Sequence, residues 1–531
     1  MDIILSGGVV VDGTGSPGFD GDVRVSGDSI LWVGEGPREG AEVVDVSGHV
    51  ICPGFVDFHA HTDMTALVNP TVESKLAQGV TLEVNGNCGF SDAPILNEEA
   101  RERARRAFER LGAGLSWSHF GEMLDVLERS GVAVNMCMLV GHANIRREVV
   151  GAEDRPATPD EMKRMCDLVS RAMDEGAIGL SSGLIYPPSS YGSTEELASL
   201  SRVAARRGGL YATHMRSESD GLLESVSEAI AVGEQSGAPV QISHLKACGT
   251  SNHGKAVRAL EMIHEARERG LDVTADQYPY TATCTGLDTL IPAWAHSGGP
   301  AAMRERLADA SVRARIRDEI SQSLECGYWR DSGGLESIVI SSVTEERNRW
   351  AEGLPAAEVA ARIGGNPVDA LLDLLVDEDF GVGMVHFCLS ETDVEAVMRT
   401  PWTLFGSDAT ARACSGPMSR GKPHPRAFGT FPRVLAHYVR ERSILSLEEA
   451  IRKMTSLATE RLGIRDRGRI APGMKADIVV FHPQNVRDTA TFADPQRLPE
   501  GILHVLVNGR FALRDGKITS ETPGRVLRGA A

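Results

Sequence analysis

The sequence predicts an α/β chain, a (β/α)8 TIM-like barrel with an inserted lid, joined to a small β-sandwich domain made from both chain ends. Three observations carry this. Through the middle of the chain, apolar runs alternate with amphipathic helical stretches at about 30 residues per unit, the spacing of βα units. Both ends read instead as short strands punctuated by Gly turns. The length of 531 residues is enough for a barrel of about 250 residues or more with an insertion and a satellite domain.

The elements follow in order. Residues 1–50 carry strand-like runs at Val9–Val11, Asp22–Val25 and Ile30–Val33 and end at Gly48. Eight barrel strands are then expected at Gly54–His59, Thr81–Asn85, Val132–Val140, Ile178–Leu184, Leu210–Thr213, Val240–Ser243, Asp272–Asp276 and Thr403–Ser407. Ser193 with Glu196, and Ser446 with Glu449, have the spacing of capping boxes at helix starts. The interval from about 281 to 400 is too long for one βα unit and reads as a lid, with strand-like runs at Ser337–Ser342 and Gly383–Leu389. Residues 465–531 return to strands, at Ala476–Phe481 and at Leu503–Val507, the latter joined through Asn508-Gly509 to Arg510–Leu513 as a hairpin. The expected division is therefore 1–50 with 465–531 as the small β domain, and 51–464 as the barrel with its insertion.

Composition excludes several classes. The hydrophobic fraction is 42%, and no window approaches the roughly 18–20 uninterrupted apolar residues of a membrane span. Nine Cys without CxxC spacing fit the reduced thiols of a cytoplasm rather than a disulfide framework. The opening Met1-Asp2-Ile3 has an acid where a signal peptide carries base, so export is not expected. A net charge of −18 disfavours nucleic acid and anionic membranes, which demand clustered Lys and Arg. A small anionic substrate needs only a few cations placed locally inside the acidic shell. Nothing in the sequence decides for or against a homo-oligomer.

The chemistry begins at Phe55-Val56-Asp57-Phe58-His59-Ala60-His61. Two imidazoles at i and i+2 on a strand end lean to one face, where they can share one divalent ion. Fifteen His in the chain give about 0.4 such pairs by chance, so the pair needs company. Barrel enzymes work where strands end, and metal-competent residues recur there: Cys88 after strand two, His214 after strand five, His244 after strand six and Asp408 after strand eight. Singly, a buried Cys is a small hydrophobe, and a His or Asp at a strand end is hydrogen-bonded structure. Four His, one Cys and one Asp on five strand ends are a ligand set.

The chain resembles the N-acyl-D-amino-acid deacylases, or D-aminoacylases, of the amidohydrolase superfamily, over nearly its whole length. The resemblance rests on Gly54–Asp63, Gly79-Val80 with Gly86-Asn87-Cys88-Gly89, Ser181–Pro188, Thr213–Glu218, Ser243–Ala247 and Tyr278-Pro279-Tyr280. It continues in Pro423-His424-Pro425-Arg426 with Gly429-Thr430-Phe431, and in Gly473–Ile478. His-x-His and Gly-Met-Lys-Ala-Asp are shared across many amidohydrolases, whereas Asn-Cys-Gly and Pro-His-Pro-Arg are narrower. What the resemblance implies is a tight zinc on Cys88, His214 and His244, with His59, His61, Cys88 and Asp408 framing a second, weaker divalent position. It implies hydrolysis of the amide of an N-acyl-D-amino acid by metal-activated water. On chemical grounds Asp408, a carboxylate at the metal edge, is the expected group to exchange the proton, and Tyr186 is a candidate donor to the developing oxyanion, the alternative being that Tyr186-Pro187-Pro188 is a rigid loop opening. Arg426, Lys246 and Tyr278 would hold the substrate carboxylate, which fixes the chirality accepted.

The chain also departs from the family. Ala409 stands where Gly is expected, an extra stretch Thr410–Gly421 precedes Pro423, and Cys284 occupies a position where relatives carry Ser as a carboxylate contact. Strand four, Ala177–Ser182, offers no Lys for the carboxylated ligand of hydantoinase-like and dihydroorotase-like enzymes. Among the remaining His, only His142, after strand three, lies near a barrel mouth; His253, His264 and His437 read as structural or solvated. The rival readings are an amidohydrolase acting on a cyclic amide or lactone, and a non-catalytic barrel scaffold.

Overall fold

Eight parallel strands close into a barrel in the computed structural model, which describes residues 2–325 and 327–529. They are Phe55–Asp57, Val80–Asn85, Asn135–Met138 continued by Val140–Gly141, Gly179–Gly183, Leu210–His214, Val240–Ile242, Val273–Gln277 and Thr403–Phe405. Each pairs with its sequence neighbour, except that the seventh pairs with the eighth across the lid insertion. The eighth returns to the first through Phe58 N to Phe405 O at 3.2 Å and Asp408 N to His59 O at 2.7 Å. The expected strands lie within a few residues of those observed, with the third interrupted at Leu139. The strands are buried throughout, as parallel strands covered on both faces must be.

The barrel wall near its mouth is fastened by a buried cation. Lys75 Nζ lies 2.6 Å from Asp57 Oδ2 and 3.0 Å from Glu83 Oε1. It also donates to Ser407 Oγ and the Ala409 carbonyl, both at 2.8 Å. One ammonium thereby ties strands one, two and eight directly beside Asp408.

Ser193 and Ser446 cap their helices, accepting from Glu196 N at 3.2 Å and Glu449 N at 3.1 Å. Neither glutamate completes the reciprocal half of the box. Glu196 turns inward to His142 at 2.9 Å and Arg146 at 2.7 Å, and Glu449 to Arg452 at 2.7 Å. A charged donor outcompetes a backbone N–H for a carboxylate.

The two chain ends hydrogen-bond in one nine-stranded sheet. Its core joins Ile3, Leu5, Val23 and Ile51 from the first part of the chain to Ile478, Val480 and Leu506 from the last. The Asn508-Gly509 turn has φ of 48° and 75°, the doubly positive pair that a tight hairpin requires, with Val507 paired to Arg510. Between strands seven and eight, the lid contributes a three-stranded antiparallel sheet of Ala282–Gly286, Gly383–Phe387 and Ile338–Ser342. Only the last two of these were expected from sequence. The lid has its own core, including Leu287, Ile316, Ile338 and Met384. No described helix is long and apolar enough to cross a membrane.

Candidate metal centre and active site

The six expected donors converge at the barrel mouth. Ligand atoms of Cys88, His214 and His244 all lie within 4.8 Å of one another, as do those of His59, His61, Cys88 and Asp408. Cys88 belongs to both groups: its Sγ is 3.2 Å from His59 Nε2 and 3.5 Å from His244 Nε2. His61 Nε2 meets Asp408 Oδ1 at 3.1 Å. Three of the donors sit at positive φ, Cys88 at 53°, His244 at 35° and Asp408 at 50°. A non-Gly residue holds that conformation only where its surroundings impose it, which is common at functional sites.

Glycines create the slot for Cys88. Gly86 has φ of +73°, and a Cβ there would stand 2.0 Å from the Leu139 carbonyl. At Gly183 a Cβ would stand 2.0 Å from the Cys88 carbonyl. Gly86→Ala is therefore expected to displace Asn87-Cys88 and to lower bound zinc and turnover together, each by about tenfold or more. Metal analysis of the purified variant checks this; full zinc with full turnover would show that the slot tolerates the methyl group.

Acids behind the imidazoles orient them. His59 Nδ1 faces Asp276 Oδ1 at 3.2 Å, and His244 Nδ1 faces Glu218 Oε1 at 2.8 Å, which leaves each Nε2 directed into the cluster. His214 is buried with neither ring nitrogen hydrogen-bonded, and burial, against the opposing pull of Glu218, lowers its pKa. A buried imidazole with both nitrogens unsatisfied, beside a thiolate and two oriented imidazoles, fits zinc. Burial alone would raise the Cys88 thiol, but the neighbouring His59 and His244 imidazoles hold it well below the ordinary thiol range. Burial would lower His61, yet Asp408 and Cys88 push it up to about 9. Asp408 is likewise penalised by burial but held well below the carboxylate range by Arg426, His244 and His61.

The donors open into a cavity of about 700 Å³ between barrel and lid. Tyr186 lines it, its hydroxyl 2.8 Å from Thr285 Oγ1. Tyr278 lines it with a buried hydroxyl that has no hydrogen-bond partner, and the Arg426 guanidinium stacks on its ring at 4.5 Å. Arg426 Nη1 is 2.9 Å from Asp408 Oδ2 but out of hydrogen-bond alignment, so that donor stays available. Lys246 lies 2.5 Å from Glu218 Oε1 and 2.7 Å from His244 Nδ1; its charge is already matched. Arg426 Nη2 reaches the Cys284 backbone carbonyl at 3.3 Å, a contact indifferent to thiol or hydroxyl at that side chain.

His142 takes no part in the cavity; it bonds Ser189 at 2.6 Å and Glu196 at 2.9 Å. The residues that sequence reasoning missed are supporting ones. Glu218 follows His214 by four residues and Asp276 ends strand seven, so strand-end logic could have found both. His424 accepts from Arg426 N at 3.0 Å and sets that arginine's approach.

A parallel barrel whose mouth gathers four His, a Cys and an Asp from five strand ends defines a metal-centred (β/α)8 hydrolase. A model of the amidohydrolase family matches residues 42–512. D-aminoacylase of Alcaligenes xylosoxydans xylosoxydans is 35% identical over 99% of this chain and 97% of its own length. N-acyl-D-glutamate deacylase of the same organism is 35% identical over 99% of this chain and 96% of its own. The solved N-acyl-D-glutamate deacylase of Bordetella bronchiseptica, complexed with zinc and a phosphonate mimic of the tetrahedral intermediate, superposes with a TM-score of 0.83 at 32% identity, covering 99% of each chain. The chain belongs to the amidohydrolase family, among its N-acyl-D-amino-acid deacylases.

Proposed function

We propose that this protein hydrolyses the amide bond of N-acyl-D-amino acids with zinc, releasing a carboxylate and a free D-amino acid. The observation that carries the reading is one cavity in which the thiolate-imidazole cluster, the Asp408 carboxylate and the uncommitted donors of Arg426 and Tyr278 face each other. Zinc held by Cys88, His214 and His244 would supply a Lewis acid that polarises the amide carbonyl and acidifies water. His59, His61, Cys88 and Asp408 suit a second, weaker divalent ion.

The remaining work falls to side chains. Asp408, kept ionised by Arg426, takes the proton of the attacking water and returns one to the departing nitrogen, which an amide requires. Tyr186, kept protonated by burial and by the nearby Cys88 charge, turns its hydroxyl from Thr285 to the developing oxyanion. Arg426 and Tyr278 grip the α-carboxylate, and Lys246, whose charge Glu218 matches, assists with an N–H donor rather than with net charge. With carboxylate and carbonyl both fixed, an L-enantiomer must put its side chain where the D-enantiomer has hydrogen.

The division into a small β domain, 1–50 with 465–531, and a barrel over 51–464 is supported by the core that one face of the end sheet builds from the two chain ends, while the sheet's other residues, Val479, Phe481 and Val505 among them, join the barrel core. A cytoplasmic location is supported by eight described cysteines, all free. The test is a panel of N-acetyl-D, N-acetyl-L and cyclic amide substrates, assayed on chelator-stripped protein with and without zinc. D substrates should turn over at least about 100-fold faster than L, and only with zinc restored. Preference for a cyclic substrate, or turnover indifferent to zinc, would overturn the reading.

A further inference from the structure

The charge of the cavity is inverted relative to the chain. The protein carries 73 acids against 55 Lys and Arg, yet among the described residues the cavity wall presents five such cations and two carboxylates, Glu218 and Asp408. Most of these charges are spoken for. Glu218 meets Lys246, Asp408 meets Arg426, and Arg216 reaches outward to Glu228 at 2.9 Å. Arg420 and Arg412 remain, and of the two Arg420 is exposed to solvent whereas Arg412 is partly withdrawn from it. Its half-buried guanidinium makes one side-chain hydrogen bond, Nη1 to the Arg420 carbonyl at 3.4 Å, and has no ion pair among the described residues.

The most deeply buried arginines each have a carboxylate: Arg146 has Glu196, Arg426 has Asp408, Arg467 has Asp477 and Arg461 has Asp272. Half-buried Arg101, Arg202, Arg267 and Arg306 have no ion pair among the described residues, but each donates to a backbone carbonyl at 3.1 Å or less and none lines the cavity, as Arg412 does. A guanidinium has five donors in a planar fork, and desolvating it without a partner is costly. Burial accordingly lowers the Arg412 pKa, opposed only by nearby Cys284. Its backbone, by contrast, is firmly held. Arg412 N donates to Ser74 Oγ at 2.9 Å, Ser74 N donates back to Arg412 O at 3.0 Å, and neighbouring Ala411 N donates to Thr62 Oγ1 at 3.1 Å. Farther along the same loop, Lys422 N bonds Ser341 O of the lid at 2.6 Å. The loop that looked extra in the sequence is pinned at both walls and presents a cation to the cavity on the Cys284 side, where Arg426 also makes contact.

We infer that Arg412 forms a second anion subsite, taking a carboxylate that the substrate carries in addition to its α-carboxylate, on the D-amino-acid side chain or on the acyl group. This rests on the deacylase reading and narrows it to dianionic N-acyl-D-amino acids. The planar fork matches a carboxylate with two parallel hydrogen bonds, and the bound anion supplies the countercharge that the protein withholds. A neutral isostere leaves the fork unpaired, which is a strong form of discrimination.

The test compares kcat/KM within matched pairs: N-acetyl-D-glutamate against N-acetyl-D-glutamine, and N-succinyl-D-leucine against N-butyryl-D-leucine. The zinc-loaded wild type should favour the dianion in one pair by about 10–100-fold. In Arg412→Met that ratio should fall to near one, and Arg412→Lys should restore part of it. A ratio taken within one variant does not depend on how much of it folds. Loss in the first pair assigns the side-chain carboxylate, and loss in the second the acyl carboxylate. If N-acetyl-D-leucine is a good substrate and neither ratio responds to Arg412, the subsite is refuted and the deacylase reading stands. If no N-acyl-D-amino acid is hydrolysed, both fail.

Discussion

Asp408→Ala is expected to lower kcat by about 10²–10⁴-fold, the usual contribution of a positioned proton-transfer group, while zinc at Cys88, His214 and His244 stays close to its wild-type content. The two readouts separate because Asp408 joins the donor group of His59, His61 and Cys88 but not that of His214 and His244. KM should not rise. Asp408 neutralises Arg426 across 2.9 Å, so its removal frees that guanidinium for the substrate carboxylate. A fall in kcat with KM flat marks an interaction made in the transition state, and a lower KM beside it marks the tighter ground-state grip of the freed Arg426. Near-wild-type turnover would remove Asp408 from the chemistry; loss of zinc in step with activity would make it a structural ligand instead.

The largest stability effect is expected from Lys75→Met. Lys75, Asp57 and Glu83 have side chains with no solvent exposure. Burial alone would lower the Lys75 pKa, but Asp57 and Glu83 outweigh it and raise it. Removing the cation leaves two carboxylates in the barrel wall without a counter-ion, a loss of about 3–5 kcal/mol. A shift of the urea midpoint to lower concentration at unchanged slope measures it. Asp57→Asn and Glu83→Gln added to Lys75→Met should recover much of the loss, because the penalty belongs to unpaired charge rather than to the missing side chain. The single variant should also lose turnover, since Ser407 and the Ala409 carbonyl, both bonded to Lys75 Nζ, flank Asp408. A midpoint within about 0.5 kcal/mol of wild type would mean that water or strand movement compensates the acids.

The sequence read alone reached the barrel, the lid and the donor set for a common reason. Strand and helix periods are local, and in a parallel barrel a strand's C-terminal end faces the mouth whatever its partners are. His59, His61, Cys88, His214, His244 and Asp408 could therefore be picked from their places in eight local patterns. The extra lid strand at Ala282–Gly286 escaped because its alternation, Ala-Thr-Cys-Thr-Gly, is short, carried by small side chains and closed by Gly; it forms because Gly383–Phe387 supplies a hydrogen-bonding edge.

What only the tertiary structure decided is pairing. Asp276 orients His59 across 217 residues, and Lys75 meets Ser407 across 332. Local pattern cannot distinguish either contact from its alternatives. The same holds for the capping glutamates: Glu196 has a helix-start spacing but spends its carboxylate on Arg146 and His142. Arg412 is the clearest instance. In sequence it is one arginine in an unfamiliar loop, and only chain closure shows that no carboxylate among the described residues comes to meet it. Backbone periodicity is written within a few residues, whereas the electrostatic state of a buried group is set by every charge that folding brings within a few ångströms.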